Sequence, residues 1–145
     1  MTSKIKTYLP ALLCFSFIVW MIIQADLDQQ NILMDIADSI PFGDKIGHFV
    51  IFGTFALLLN MAFNFRRVSI RSRKFHLGSV LVCAFAVCEE FTQLAFSSRT
   101  FDLFDMLFDL LGIGLLSSVM FRRYLINQLR LFVEHLSNKM LVDVE

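Results

Sequence analysis

Charge is scarce in this chain: Asp, Glu, Lys and Arg make up 18% of its 145 residues, against about 25% in ordinary soluble domains. Proline occurs twice and glycine six times, which excludes a collagen-like repeat and a Pro/Gly-rich disordered segment. The three cysteines, Cys14, Cys83 and Cys88, lie inside apolar runs, where they act as small hydrophobes and cannot build a disulfide scaffold. Ala11-Leu12-Leu13 before Cys14 lacks the small residues of a lipoprotein cleavage site, so no lipid anchor is expected there. No Gly-rich phosphate loop, internal repeat or low-complexity tract occurs. The 13 basic and 13 acidic residues cancel, and no nucleic-acid partner is expected. What is abundant is apolar: 57% hydrophobic residues and 17 Phe, with a mean hydropathy of +0.66.

That composition is distributed in runs long enough to cross a bilayer, which takes roughly 20 residues. Four stretches qualify, at about 8–25, 46–63, 77–96 and 103–121. In lipid the backbone must pair internally, so all four are expected to be helices. The first run follows Lys4 and Lys6, as a signal peptide would. It is longer than a signal peptide needs and is followed by Asp26 and Asp28 without a cleavage pattern, so it reads as a retained helix. The fold expected is all-α: one domain over 1–145, a membrane bundle of four transmembrane helices with a C-terminal amphipathic helix at about 122–140. That tail carries Leu125, Leu129, Phe132, Val133, Leu136 and Met140 as an apolar stripe, with Arg130 and Lys139 off it. Ile32, Leu33 and Ile36 suggest a short surface helix within 28–38, ended by Pro41 and Gly43.

Basic residues orient the bundle. Lys4 and Lys6 precede the first span, Arg66, Arg67, Arg71, Arg73 and Lys74 separate the second from the third, and Arg122, Arg123, Arg130 and Lys139 follow the fourth. Only Lys45 and Arg99 fall on the other side. The positive-inside rule then expects a bacterial cytoplasmic (inner) membrane protein with both termini cytoplasmic, and with loops 26–45 and 97–102 outside.

Ionisable residues within or beside the spans are the informative exceptions, because each costs roughly 2.5–3.5 kcal/mol at a helix centre. Asp44 and His48 share a face of the second span. Glu90 and Gln93 share a face of the third, and Asp102, Asp105, Asp109 and Gly112 form one stripe on the fourth. All lie at the outer ends, so they are expected to line one outward pocket, with Lys45 and Arg99 at its rim. Plainer roles compete. Asp44 or Asp102 would serve as an N-cap, Lys45 as a snorkelling cation, and Arg99 as a counter-ion. Glu89 adjoins Glu90, so one of the two is expected to point to the rim. Gly112, Gly114, Ser117 and Ser118 suit close helix packing. Asp109, deep on the stripe, is expected to pair with His48 or a cation, or to be protonated.

Two blocks carry a resemblance. The first is D-K-x-x-H-x-x-x-F, here Asp44, Lys45, His48 and Phe52. The second is E-x-x-Q, an Arg, then D-x-x-D-x-x-x-N-x-x-G, here Glu90, Gln93, Arg99, Asp102, Asp105 and Gly112. Over roughly 44–116 the chain resembles the VanZ-like family of small bacterial membrane proteins, with Asp109 where that family usually has Asn. The resemblance implies a link to the glycopeptide teicoplanin. It also brings a phosphotransbutyrylase label, which no phosphate loop here supports.

The function expected is binding or modification of a cell-envelope component at a site made of Lys45, His48, Glu90, Gln93, Arg99, Asp102, Asp105 and Asp109. The partner would be a membrane lipid or a lipid-linked, peptide-bearing molecule, with an effect on glycopeptide susceptibility. Lys45 and Arg99 would meet its anionic group. No cofactor is called for. One alternative is an intramembrane enzyme with a His48–carboxylate acid–base pair or a divalent metal. Another is an assembly partner whose stripe only sets helix pairing, and transport would require a homo-oligomer.

Overall fold

The computed structural model describes residues 3–29, 31–97 and 99–142, with several side chains near the N-terminus, between 120 and 129, and from 132 onward left out. In chain order the elements are α1 (Ser3–Asp26), α2 (Ile32–Ser39), α3 (Gly43–Ala62), strands β1 (Arg67–Ile70) and β2 (Arg73–His76), α4 (Leu77–Thr92) and α5 (Leu103–Val142). A 3-10 turn, Gln93–Ala95, extends α4. Four helical segments are long and apolar enough to cross a membrane: Thr7–Asp26, Gly43–Ala62, Leu77–Ala95 and Leu103–Tyr124. Their exposed faces are rows of large apolar side chains, among them Leu12, Leu13, Ile46, Val50, Leu81, Leu111 and Leu115. Water would penalise such a surface, whereas acyl chains accommodate it.

Helix α3 is central and touches α1, α2, α4 and α5. Its middle contributes Phe52, Phe55 and Ala56 to a core completed by Ile18, Val82, Ala86 and Ile113. Phe15, Phe52, Phe55 and Phe85 meet with ring centroids 5.5–6.4 Å apart. Helices α3 and α5 both start at one end of the bundle and run parallel, with α4 returning between their ends. Their closest crossing is Gly53 against Gly112. A Cβ on Gly53 would lie 2.8 Å from the Gly112 carbonyl oxygen, and a Cβ on Gly112 would collide with the Phe49 carbonyl. Small residues allow this approach, and in lipid dispersion contacts and polar bonds hold helices together.

Deeper along the same pair, the Asn60 amide donates to Ser79 Oγ at 2.8 Å and Ser117 Oγ at 3.1 Å, and its oxygen accepts the Ser79 amide N–H at 3.1 Å. These bonds join α3, α4 and α5. Of the four small residues expected at a packing face, only Gly112 and Ser117 serve there. Gly114 faces open space, and Ser118 Oγ returns to its own helix at the Leu115 carbonyl.

Two features differ from the sequence reading. The basic connector between the second and third spans is an antiparallel hairpin in which Val68 pairs with Phe75 and Ile70 with Arg73. Its two-residue turn uses Arg71 and Ser72, both at positive φ, the geometry that matches strand twist. Neither is the Asn, Asp or Gly that a turn with two positive φ values favours, and four-residue strands show too little alternation to be recognised. The fourth span and the tail are also one helix. Nothing between 103 and 142 breaks it, and its 40 residues run about 60 Å, twice the ~30 Å apolar thickness. The expected tail stripe at Leu125, Leu129, Phe132, Val133, Leu136 and Met140, with Lys139 off it, lies outside the described side chains, as do Lys4 and Lys6. The short helix within 28–38 is present as α2, capped by Asn31, whose side chain accepts from Leu33 and Met34 N–H.

The glycine crossing has a built-in control. Gly112→Ala should destabilise the bundle by about 1–3 kcal/mol, the usual range for overpacking, whereas Gly114→Ala should be neutral or slightly stabilising through helix propensity. Reversible unfolding in mixed detergent micelles measures both. Equal effects at the two positions would contradict the crossing.

Candidate functional site

Starts and ends of helices create the site. The N-terminal turns of α3 and α5 meet there, α4 ends there, and residues 99–102 lie over the top. Helix N-termini favour acidic groups through the backbone dipole, and both starting helices carry them: Asp44 on α3 and Asp105 on α5. Asp44 is not a cap, since Phe42 occupies that position in the left-handed region without a side-chain bond. Asp102 is the cap of α5, accepting the Phe104 N–H on Oδ1 at 2.8 Å.

The stripe on α5 faces α3, and each acid finds a partner there. Lys45 Nζ lies 2.7 Å from Asp102 Oδ2 and 2.7 Å from Asp105 Oδ1, with the exposed Asp44 at 3.5 Å. One turn deeper, His48 Nδ1 lies 3.1 Å from Asp109 Oδ1. Asp109 is fully buried, and its Oδ2 has no hydrogen-bond partner among the described residues. The His48 ring stacks on Phe52 at 5.8 Å with a 10° interplanar angle. Its other nitrogen, Nε2, is 3.9 Å from Asp44 Oδ1. Asp102 is the titrating group here that lies outside the spans. The Lys45 ammonium first, and the Phe104 N–H second, hold its carboxyl below the ordinary 3.8.

A second network ties the end of α4 to the loop. Glu90 Oε1 accepts the Asp102 backbone N–H at 2.6 Å, and Gln93 Nε2 donates to Glu90 Oε2 at 3.1 Å. The same amide reaches Glu89 at 3.1 and 3.2 Å, and Arg99 donates to Glu89 Oε1 at 3.2 Å. Glu89 and Glu90 are therefore both buried. The expectation that one of them points to the rim is corrected: the segment 99–102 lies over the helix end, and Arg99 and the Asp102 N–H supply donors to Glu89 and Glu90.

A cleft of about 670 Å³ opens in front of these networks. The apolar part of its wall is Phe17, Ile18, Met21 and Ile22 of α1 and Ile51 and Phe52 of α3. The polar part of its wall is Asp44, His48, Glu89, Gln93, Arg99 and Asp105, with Asp28, Gln29, Asp38 and Thr100 also lining it. Leu33, Met34 and Ala37 of α2 border it. Of the eight residues singled out in the sequence, His48, Gln93, Arg99 and Asp105 line the cleft. Lys45, Glu90, Asp102 and Asp109 stand behind it and brace the lining residues. Lys45, expected to meet a ligand's anion, is turned to Asp102 and Asp105. Glu89, left out of the sequence-based set, is a lining residue. Its signal was its position next to Glu90 in the last turn before a short loop, where both faces are covered. Asn60 was also missed, although a lone amide within an apolar span is itself a signal.

The model of a family described as VanZ/LLP1 matches residues 2–126. An uncharacterized protein of Schizosaccharomyces pombe is 32% identical over 119 residues, covering 79% of this chain and 67% of its own length. No solved structure matches.

The Lys45 clamp makes an acid-lability prediction. A carboxyl whose value is lowered on folding contributes its full stability above its unfolded value and loses it as pH falls through the folded one. The Asp102 contribution is thus intact above the ordinary 3.8 and lost below it. Asp102→Asn should lose less stability than the unmodified chain between about pH 6 and about pH 3. Lys45→Met, which strands the buried Asp105, should cost about 1–3 kcal/mol near neutral pH. Thermal unfolding across pH measures both, and an acid response unchanged by Asp102→Asn would contradict the clamp.

Proposed function

We propose that this chain, which belongs to the VanZ/LLP1 family, binds the headgroup of a membrane lipid or lipid-linked envelope molecule in the cleft between α1 and the α3–α5 pair. The observation that carries this reading is that apolar and polar side chains line the same cleft. An amphiphile is the ligand class that satisfies both at once. Its chain would lie along Phe17, Ile18 and Ile22, and its headgroup would face Asp105, Gln93 and Arg99. Among the described cations, Arg99 is the one lining the cleft, and its planar fork suits a phosphate. Asp44 and Asp105 would receive hydroxyl or ammonium donors, or a cation.

The distribution of basic residues supports an orientation with the cleft on the outer side of a bacterial cytoplasmic membrane and both termini inside. The hairpin Arg67–His76 lies at the opposite end of α3 and α4 from the cleft, together with Arg122 and Arg123 at the far end of the α5 span. In that orientation a bound peptide-bearing precursor would be withdrawn from a glycopeptide, which links the reading to glycopeptide susceptibility. Of the two sources of headgroup, the relative in Schizosaccharomyces pombe favours an ordinary lipid shared by both kinds of membrane.

A second reading rests on the His48–Asp109 contact at 3.1 Å. A carboxylate behind an imidazole whose second nitrogen faces a cleft is an arrangement that serves general acid–base catalysis.

Mass spectrometry of lipid retained by the purified protein tests the main reading. One lipid class should be enriched over the bulk membrane. Arg99→Ala and Asp105→Asn should each reduce its retention about tenfold or more, the scale of a lost charged contact. Retention of a lipid-linked peptide would identify the other source. Bulk composition in all three proteins would overturn the reading.

A further inference from the structure

The polar wall carries more acid than base, with Asp44, Glu89 and Asp105 facing the cleft alongside one arginine that already donates to Glu89. Lys45 is shared among Asp44, Asp102 and Asp105, so one ammonium meets three carboxylates and the cluster keeps an excess of acid. From this surplus and from the placement of one imidazole, we infer that Asp44, His48 and Asp105 form a binding site for a divalent first-row metal ion of the Mn²⁺/Zn²⁺ kind. One potential ligand atom from each of the three residues lies within 4.8 Å of the others.

The independent observation is the way the imidazole is held. Asp109 is fully buried at the back of His48 and contacts Nδ1 at 3.1 Å. With Asp109 ionised, its oxygen accepts from Nδ1, and Nε2 presents its lone pair on the opposite edge. That edge is where Asp44 Oδ1 stands, 3.9 Å away. Stacking on Phe52 fixes the ring plane. A carboxylate behind an imidazole, setting its tautomer and orientation, is the arrangement that metal-ligating histidines commonly use. Asp109 is then a positioning residue, and Asp44, His48 and Asp105 are the ligands. Lys45 occupies Asp105 Oδ1, leaving the second oxygen to the ion.

The donor set selects the metal. Two carboxylates and one imidazole suit Mn²⁺ or Zn²⁺ better than the all-oxygen preference of Mg²⁺ or the thiolate preference of Cu⁺. Adjacent donors around a tetrahedral ion at these bond lengths are about 3.3 Å apart, so the three donors, within 4.8 Å of one another, have to close around the ion, Asp44 on His48 by about half an ångström. Asp44 is on the outer turn of α3 with an exposed side chain, free to make that movement. Cleft residues that are not ligands, Gln93 and Arg99, remain on the open side for a second molecule.

The inference stands apart from the lipid reading, since the ion needs no lipid to bind. The test uses Mn²⁺ alone, added to the purified full chain in detergent after chelation, with electron paramagnetic resonance as the readout and Zn²⁺ as competitor. One Mn²⁺ should bind per chain and be displaced by Zn²⁺, and its spin-echo modulation should show one imidazole nitrogen. Asp44→Asn and His48→Gln should each weaken binding at least tenfold, and His48→Gln should remove the nitrogen signature. Asp109→Asn should weaken binding about 10- to 100-fold, the range for losing such a support, while keeping the nitrogen signature in whatever ion remains bound at high concentration. Asp44 is exposed, so its variant folds and keeps the test valid if His48→Gln does not. No stoichiometric Mn²⁺, or a bound ion without the nitrogen signature, or an affinity unchanged in Asp44→Asn, would overturn the site. Lipid retention measured on the same metal-free sample distinguishes this failure from failure of the lipid reading.

Discussion

The parallel contact between α3 and α5 is the constraint on which the rest depends. Carboxylates on a helix that crosses lipid must meet donors or lie protonated, because no water is present to solvate them. Here α3 supplies the donors in register: Lys45 for Asp102 and Asp105, and His48 for Asp109. The register holds only because the helices approach closely at Gly53 and Gly112. The Asn60–Ser79–Ser117 bonds pin the same pair further along and bring in α4. Backbone approach and side-chain pairing therefore depend on each other, and neither would be satisfied by a rotated helix.

From that contact the site follows in two tiers. Behind the cleft, Lys45 pairs with Asp102, Glu90 accepts the Asp102 N–H, and Asp109 backs His48. In front, His48, Gln93, Arg99, Glu89 and Asp105 are presented to the space bordered by α1 and α2. The rear tier sets the direction of the front one. Asp109 turns the edge of His48 outward, Gln93 bridges Glu89 and Glu90, and the Asp102 backbone N–H holds Glu90. This division accounts for the gathering of the buried carboxylates Glu89, Glu90, Asp105 and Asp109 at one end of the bundle. It also explains why α1, which brings only apolar side chains to the cleft, is needed: without it the polar wall would face acyl chains directly.

Much of this was legible from residue spacing. The four spans could be read because each is a long apolar run, and the Asp102–Asp105–Asp109–Gly112 stripe because its steps of 3, 4 and 3 keep one helix face. His48 and Lys45 could be read for the same reason. What escaped depended on contacts far apart in the chain. The burial of Glu89 depends on Arg99 folding back ten residues later, and the engagement of Lys45 on acids nearly sixty residues away. Spacing within one helix carries neither fact. The hairpin escaped because four-residue strands with an Arg71-Ser72 turn resemble a basic loop. The separation of the fourth span from its tail was drawn at a change in charge, yet charge does not end a helix where no Gly or Pro intervenes.

The central claim is that the cleft between α1 and the α3–α5 pair is a headgroup site rather than a gap filled by bulk lipid. Photo-crosslinking from within it is the most direct measurement. A photoreactive amino acid at Ile22 faces the cleft, and the same group at Leu111 faces outward from α5. The account predicts that Ile22 captures one lipid class out of proportion to its abundance, and that Arg99→Ala removes this selectivity, while Leu111 captures the bulk mixture. Bulk composition captured from both positions would contradict it.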